Sequence, residues 1–362
     1  MKDDLEKNEN ISLIHMSFNQ EGFDQLKMTD FGLDWPIVYL IKNNEDMYVG
    51  ETNSAINRLL THYKDEKRKY LRDFYIVNDL EANKSIVLDV ESLLIRYLSA
   101  DGKFYLQNKN EGQVDHNYFN KDKRENKIKI IWEKLKEFKL VTQNLLELKN
   151  SDLFKYSPYT ALTEDQMVIA DSIYKNIKEQ KANTFVINGG AGTGKTILAL
   201  YLIKMLKEKE YTRDLNIGLV VSMTSLRKTL KKVIRNIKSL KKVDIIGPSD
   251  VVKKDYDILL VDESHRLRTR RNNPAMGAFD NVNRGLGFDI NDGTQLHWIM
   301  KKSKYQIFFY DKEQSVYPSD IGHEIFNKVV NNFISYELST QLRVEGGDKY
   351  IKNIKNLFNN DN

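Results

Sequence analysis

The sequence contains no cysteine. That excludes a disulfide framework, a thiolate zinc site, an iron–sulfur cluster and a cysteine nucleophile. Histidine is scarce, six in 362 residues, and no two stand at metal-ligand spacing. Long apolar runs are also missing: those at 197–206 and 258–261 are interrupted or far shorter than the roughly 20 residues a bilayer requires. No apolar segment follows the opening Met1-Lys2-Asp3-Asp4, so the expectation is a cytoplasmic protein without a membrane partner. Nor is there a large excess of one charge. The 56 basic and 51 acidic residues leave a net charge of +5, so local clustering must identify partners. What is present is 41% hydrophobic and 30% charged residues, enough for ordered cores. The length exceeds the roughly 250 to 300 residues that one core serves, which predicts two domains.

Motif-like content occupies 35–112 and 162–343, with a highly charged segment between. The expected organisation is an N-terminal extension over 1–34, a small α+β domain over 35–114, a helical linker over 115–157, a parallel α/β domain over 158–343, and a tail or the start of a second lobe over 344–362. Ile128, Ile131, Leu135 and Phe138 fall at helical spacing and predict an amphipathic connecting helix. In the C-terminal half, β-branched runs at 184–188, 217–222, 257–262 and 305–311 alternate with helical patterns, the signature of a parallel sheet. In the N-terminal half, strands are expected at 37–41 and 47–50, and helices after Ala55 and around 89–98.

Gly189-Gly190-Ala191-Gly192-Thr193-Gly194-Lys195-Thr196 satisfies the phosphate-loop pattern in full, after an apolar strand and before a helix. Glycines let backbone N–H groups wrap phosphates at a helix N-terminus, Lys195 reaches the β- and γ-phosphates of ATP, and the Thr196 hydroxyl holds Mg²⁺. A second acidic position follows the run 258–261: Asp262 for Mg²⁺ through water and Glu263 to polarise the attacking water. Strand 217–222 falls between the two in sequence, the order of ATPases with an inserted strand; simple kinases usually lack it.

Asp262-Glu263-Ser264-His265, Phe308-Phe309-Tyr310-Asp311-Lys312-Glu313-Gln314 and Leu338-Ser339-Thr340-Gln341-Leu342-Arg343 resemble motifs II, III and IV of superfamily 1 helicases, and most of all the Schlafen-group DNA/RNA helicase domain of bacteria. Leu162-Thr163-Glu164-Asp165-Gln166 is similar to the family's Q motif. The resemblance implies a RecA-like lobe in which Gln166 recognises adenine, Gln314 senses the γ-phosphate and Arg343 stabilises transition-state charge. A motor of this kind needs a second RecA-like lobe. Too few residues follow Arg343 to build one, so the expectation is a fragment, or an ATPase that needs a homo-oligomer or a partner to supply the lobe.

In the N-terminal half, Tyr39 and Tyr48 lie on two candidate strands, Gly50 follows, and Arg58 and His62 share one helix face. Singly these are ordinary packing and surface residues. As a set, with Glu91 and Asn108, they resemble the GIY-YIG nuclease module: two signature tyrosines, its glycine, its helix Arg and His, its single metal-binding carboxylate Glu91 and its late asparagine. Ile37 stands at the motif's opening glycine and Val49 at its isoleucine. The resemblance implies one Mg²⁺ at Glu91, with Mn²⁺ as a substitute, a tyrosine relaying a proton and Arg58 neutralising the phosphate. An active nuclease, a degenerate nucleic-acid-binding module and a chance pattern all remain open.

From Ser225 to Val243 the sequence predicts one amphipathic helix with Leu226, Leu230, Val233, Ile237 and Leu240 inside and Arg227, Lys228, Lys231, Lys232, Arg235 and Lys238 outside. Without acidic compensation the cationic face suits a phosphate backbone, DNA being favoured over RNA, against the bland reading of a solvated face. Arg266, Arg268, Arg270 and Arg271 directly after the acidic pair would couple nucleotide state to strand grip. The functional expectation is an ATP-dependent nucleic-acid enzyme that joins an endonuclease to a helicase-like ATPase, in restriction or antiphage defence by family analogy. The alternative is an ATP-switched nucleic-acid-binding protein with an inactive nuclease module.

Overall fold

The computed structural model describes residues 10–108, 124–158, 162–235, 237–271, 276–312, 314, 319–330 and 332–340. The chain divides into two compact units, Met1–Ala161 with Arg235–Lys238 and Leu162–Ile234 with Ser239–Asn362.

The first unit is built on a sheet of order β1-β4-β2-β3-β5, with β1 Ile11–Ser17, β2 Ile37–Lys42, β3 Asp46–Thr52, β4 Asp73–Asp79 and β5 Tyr105–Leu106. All pairs are antiparallel except β3 with β5. Asn43 makes the β2–β3 hairpin turn: its Oδ1 accepts the N–H groups of Glu45 (2.8 Å) and Asp46 (2.7 Å). β2 is buried from Ile37 to Ile41, which accounts for its continuous apolar run. Three helices follow their strands, α1 Gln20–Lys27, α2 Ala55–Lys64 and α3 Lys84–Asp101. α3 starts at Asn83, whose side chain accepts from Ile86 N–H, and stops at left-handed Gly102. Phe23, Leu26, Tyr39, Leu59 and Phe74 fill the core.

Two boundaries differ from the sequence reading. Within the expected extension over 1–34 lie β1 and α1, and β1 pairs with β4 along its whole length, so the described residues 11–27 are part of the sheet unit. The expected linker over 115–157 holds α4 Arg124–Glu137, α5 Leu145–Asn150 and α6 Asp152–Lys155; α4 packs on β1 and α3, and the other two on α3. The stripe Ile128, Ile131 and Leu135 is buried together with Trp132, while Phe138 is exposed and meets Tyr75 edge-on. Lys127 lies buried on Asp79 at 2.6 Å. A free connecting helix would leave both stripe and ion pair in water; docking on the sheet unit buries them.

The second unit carries a wholly parallel sheet of order β11-β6-β10-β9-β7-β8: β6 Thr184–Gly189, β7 Ile217–Val221, β8 Asp244–Ile246, β9 Tyr256–Asp262, β10 Ser303–Tyr310 and β11 Ile334–Leu338. Its helices are α7 Glu164–Lys178, α8 Lys195–Glu208, α9 Thr224–Arg235, α10 Met276–Leu286, α11 Gln295–Lys302 and α12 His323–Val329. In space the strand inserted between the phosphate-loop strand β6 and the acidic strand β9 is β10, and β7 lies on the far side of β9. Sequence order alone had put β7 there. The predicted helix over 225–243 ends at Arg235; Ile237 and Leu240 are buried around a short 3₁₀ turn that leads into β8. Among the described residues no helix is long and apolar enough to cross a membrane.

Candidate functional sites

The phosphate loop joins β6 to α8 at the C-terminal edge of the sheet, where open α/β folds hold ligands. Gly192 and Gly194 take positive φ (87° and 79°), which a side chain would resist, and this turns the loop into the helix N-terminus. Ala191 at the tip is exposed. Lys195 folds back: its Nζ donates to the carbonyls of Gly189 (2.7 Å) and Gly190 (3.0 Å) and to Asp311 Oδ2 (3.2 Å), with both charged side chains buried. Asp311, at the end of β10, has no assigned part in the sequence reading; its place three residues before Gln314 at a strand end was the available signal. Thr196 Oγ1 donates to Asp262 Oδ2 at 2.8 Å, uniting the loop with the end of β9.

Burial and the adjacent Glu263 push the Asp262 carboxyl up to about 6. Glu263 sits in left-handed backbone (φ 51°), which turns it off the strand. Burial raises its carboxyl pKa, but His265, Lys195 and Arg266 together hold it below the ordinary value. Its Oε2 lies 3.0 Å from Nε2 of buried His265, without hydrogen-bond alignment, and 3.6 Å from Arg266 Nε. Gln166, expected to recognise adenine, uses its Oε1 to accept from Thr163 N–H (3.1 Å) in a capping box and its Nε2 to donate to the Thr193 carbonyl (3.0 Å), tying the start of α7 to the phosphate loop. Gln314 is half-buried just past β10. Arg343 lies outside the described residues.

The residues of this site fit Mg²⁺ and a nucleotide. A hydroxyl and a carboxylate oxygen converge at 2.8 Å beside a lysine whose present acceptors are all oxygens, a donor set suited to a hard cation and to phosphates.

In the first unit, Tyr39 Oη lies 2.8 Å from His62 Nε2 and accepts from Arg58 Nε at 3.3 Å; the rings of Tyr48 and His62 are 4.8 Å apart. Gly50 is obligatory here, because a Cβ on it would lie 2.3 Å from Tyr39 Oη. Arg58 leaves its outer side exposed. Burial, with Arg68 and Arg58, pushes His62 down to about 4, and burial with the neighbouring Tyr48 raises the Tyr39 hydroxyl well above its usual value. Glu91 is buried on α3, the helix that packs against β2 and β3. No three-ligand cluster for a metal occurs among the described residues, so a cation at Glu91 would draw its other ligands from water and phosphate. Asn108 is turned inward: its Oδ1 accepts from Val49 N–H (3.0 Å) and its Nδ2 donates to the Val49 carbonyl (2.6 Å), clamping the strand between Tyr48 and Gly50. Arg68, absent from the sequence reading, lies over the Tyr48 ring at 4.1 Å and meets His62 Nδ1 at 2.9 Å.

On α9, Lys228, Lys231, Lys232 and Arg235 are exposed. Arg227 is not part of that face: it donates to the carbonyls of Val221 (2.7 Å) and Ser222 (3.1 Å) and to Thr224 Oγ1 (2.9 Å), securing the end of β7. The side chain of Lys238 lies outside the described residues. Arg270 is held by Asp280 through two hydrogen bonds, at 2.6 and 3.0 Å. Arg266 and Arg268 instead line a cavity of about 430 Å³ with Gly247, Phe279 and Trp298.

A parallel α/β unit with a full phosphate loop on β6, an acidic pair on β9 and one strand between them is compatible with the RecA-like P-loop class. The family model described as "Schlafen group 3, DNA/RNA helicase domain" matches residues 182–362, half of the chain, and the chain belongs to that family. No curated protein matches the sequence. Solved structures with local similarity include domain III of the replication initiation protein DnaA from Thermotoga maritima (14% identity, TM-score 0.29, 51% of this chain and 68% of that one). Pif1 helicase from Candida albicans is another (13%, 0.30, 55% and 44%), as is the Hef helicase domain from Pyrococcus furiosus (13%, 0.29, 47% and 37%). The chain therefore spans less than half the length of either helicase structure.

Proposed function

We propose that the protein hydrolyses ATP in response to nucleic acid, and that its N-terminal unit is a GIY-YIG-type nuclease using one Mg²⁺, with Mn²⁺ as a substitute. The observation that carries the first part is the meeting of Thr196 and Asp262 at 2.8 Å beside Glu263 and the folded-back Lys195. On this reading Lys195 exchanges the Gly189 and Gly190 carbonyls and Asp311 for phosphate oxygens, Thr196 and Asp262 hold the cation's oxygen shell, and Glu263 takes a proton from water. Bound Mg²⁺ neutralises developing phosphate charge. The cavity lined by Arg227, Arg266 and Arg268, with Arg266 Nε 3.6 Å from Glu263, supports strand binding within reach of Glu263.

The nuclease part rests on the Tyr39–His62–Arg58 cluster, a hydroxyl held between an imidazole and a guanidinium whose outer side faces solvent. Family membership over 182–362 supports the ATPase part and does not reach this unit.

The experiment is phosphate release by the purified chain with and without single-stranded DNA or RNA, alongside Mg²⁺-dependent nicking of the same substrates by wild type and Glu91→Gln. ATP turnover indifferent to every nucleic acid would sink the first part. Nicking that survives Glu91→Gln would sink the second, which expects cleavage to fall to background with ATP turnover kept within about twofold, since the sites lie in separate units.

A further inference from the structure

The hydrogen bonds around His62 decide its tautomer. A guanidinium carries donors only, so where Arg68 Nη1 approaches His62 Nδ1 at 2.9 Å the ring nitrogen must be the acceptor. The other Nη1 hydrogen serves Asp65 Oδ2 at 3.1 Å, so both are used. An imidazole that accepts at Nδ1 carries its proton on Nε2, and Nε2 is the atom 2.8 Å from Tyr39 Oη. The Tyr39 oxygen therefore accepts from His62 as well as from Arg58 Nε.

We propose that Arg68 is the positioning residue of this cluster: by donating to Nδ1 it fixes His62 as the Nε2–H tautomer, makes the Tyr39 oxygen the acceptor of two hydrogen bonds, and leaves the Tyr39 hydroxyl proton directed away from His62.

The position of Arg68 is itself built. Its guanidinium lies over the Tyr48 ring, and its turn is closed by Arg68 N–H to the Asp65 carbonyl (2.8 Å) and Leu71 N–H to the Arg68 carbonyl (2.9 Å). Arginine is suited to the task because it keeps its protons at every working pH; a lysine or histidine in a half-buried position can lose them. The charged and titratable groups facing the imidazole are Arg58, Arg68, Asp65, Tyr39 and Tyr48, and their balance with burial keeps the ring neutral near pH 7, the state in which a tautomer exists to be chosen. The consequence is local preorganisation. Negative charge on the Tyr39 oxygen would be met at once by two N–H groups already in place, so no donor has to move.

The catalytic meaning rests on the nuclease reading above; the tautomer does not. The test is long-range ¹H–¹⁵N correlation on the full chain labelled at its six histidines, with His62 assigned by its loss in His62→Gln. Wild type should show His62 protonated on Nε2 alone at neutral pH. Arg68→Met, which keeps the stem and removes the donors, should bring in the Nδ1–H form and raise the His62 titration midpoint. Arg68→Lys should restore Nε2–H at least in part, and it decides the matter should Arg68→Met fail to fold. An Nδ1–H form in wild type, or an unchanged tautomer in Arg68→Met, would overturn the proposal. In nicking assays Arg68→Met should lower kcat about tenfold or more with KM little changed. Cleavage abolished by Glu91→Gln but untouched by Arg68→Met would overturn the positioning role and leave the nuclease standing. A wild type with the expected tautomer and no cleavage would remove the nuclease and leave the tautomer assignment intact.

Discussion

The two units each bury a polar cluster, and the clusters are arranged on opposite plans. Around Tyr39 in the first unit, donors converge on a neutral acceptor: His62 and Arg58 both reach the same oxygen, with Arg68 behind His62. Around Lys195 in the second, opposite charges and loop carbonyls occupy one another: Lys195 holds Gly189, Gly190 and Asp311, and Thr196 holds Asp262. The first is assembled as it stands. The second is satisfied by partners that phosphates and a cation would replace, so its geometry must change to work. A buried ion pair is costly to dismantle by halves, and ligand binding has to exchange the partners of Lys195 in one step.

The sharpest way to break this contrast is to remove the exchanging group. Lys195→Ala should lower ATP turnover by about 10²–10³-fold, the usual cost of losing one donor at developing charge. It also leaves buried Asp311 without one of its contacts, so thermal stability of the second unit should fall as well. Measured phosphate release close to wild type would mean that Lys195 rests on Asp311 as a structural pair and never exchanges.

For the preassembled cluster the corresponding break is steric. Gly50→Ala places a Cβ against the Tyr39 hydroxyl, 2.3 Å from Oη, and the ring cannot yield without leaving His62. Overpacking of this kind costs about 1–3 kcal/mol. Urea denaturation should show that loss, and the His62 ring signals should shift with it. A midpoint equal to wild type would show that the strand relaxes and the cluster is looser than its distances imply.

The plan of each cluster was legible in the sequence to different degrees for a physical reason. The phosphate loop is contiguous, so its residues, their order and the glycines at positive φ can be read from eight letters. Its present partner Asp311 lies 116 residues away along the chain, and only the sheet order, which sets β10 beside β6, brings the two together. Arg68 is six residues from His62, yet a turn intervenes and no periodicity predicts the approach. Among strands, β6 and β9 are buried on both faces and read as apolar runs, whereas β1 and β11 are edge strands with a partly exposed pattern and were missed. Periodicity placed the helix stripe at Ile128, Ile131 and Leu135 but could not say what covers it, which is how a docked helix came to be read as a linker.

A smaller effect is expected where charge meets solvent. Replacing Lys228, Lys231, Lys232 and Arg235 with Gln should weaken nucleic-acid binding nearly uniformly across sequences, with about 0.9 unit of salt slope lost per phosphate contact on duplex DNA. ATP turnover without nucleic acid should stay unchanged, because the four side chains are exposed and none of them belongs to the phosphate loop or the acidic pair. An unaltered slope in a binding titration would return this face to ordinary solvation.

The smallest expected effect uses pH to set the two clusters against each other. An unfolded His62 titrates near 6.5, but the folded one titrates at about 4, mainly because it is buried. Between those values the unfolded chain takes up a proton that the folded one refuses, so this group lowers the stability of the first unit as pH falls from 6.5 towards 4 and adds no slope above 6.5. Asp262 has the opposite sign. Its folded value near 6 exceeds the ordinary 3.8, so its contribution is present in full below about 3.8 and is lost as pH rises through 6. Melting followed by probes in each unit should therefore show a first unit that loses a few degrees on acidification from pH 6.5 to 5, with the loss flattened in His62→Gln. The second unit should lose less over that range than Asp262→Asn does, since Asp262 offsets part of what the other carboxylates lose. Parallel curves for wild type and both variants would mean that neither shift is carried into folding, and that the two clusters differ in geometry without differing in their cost to the fold.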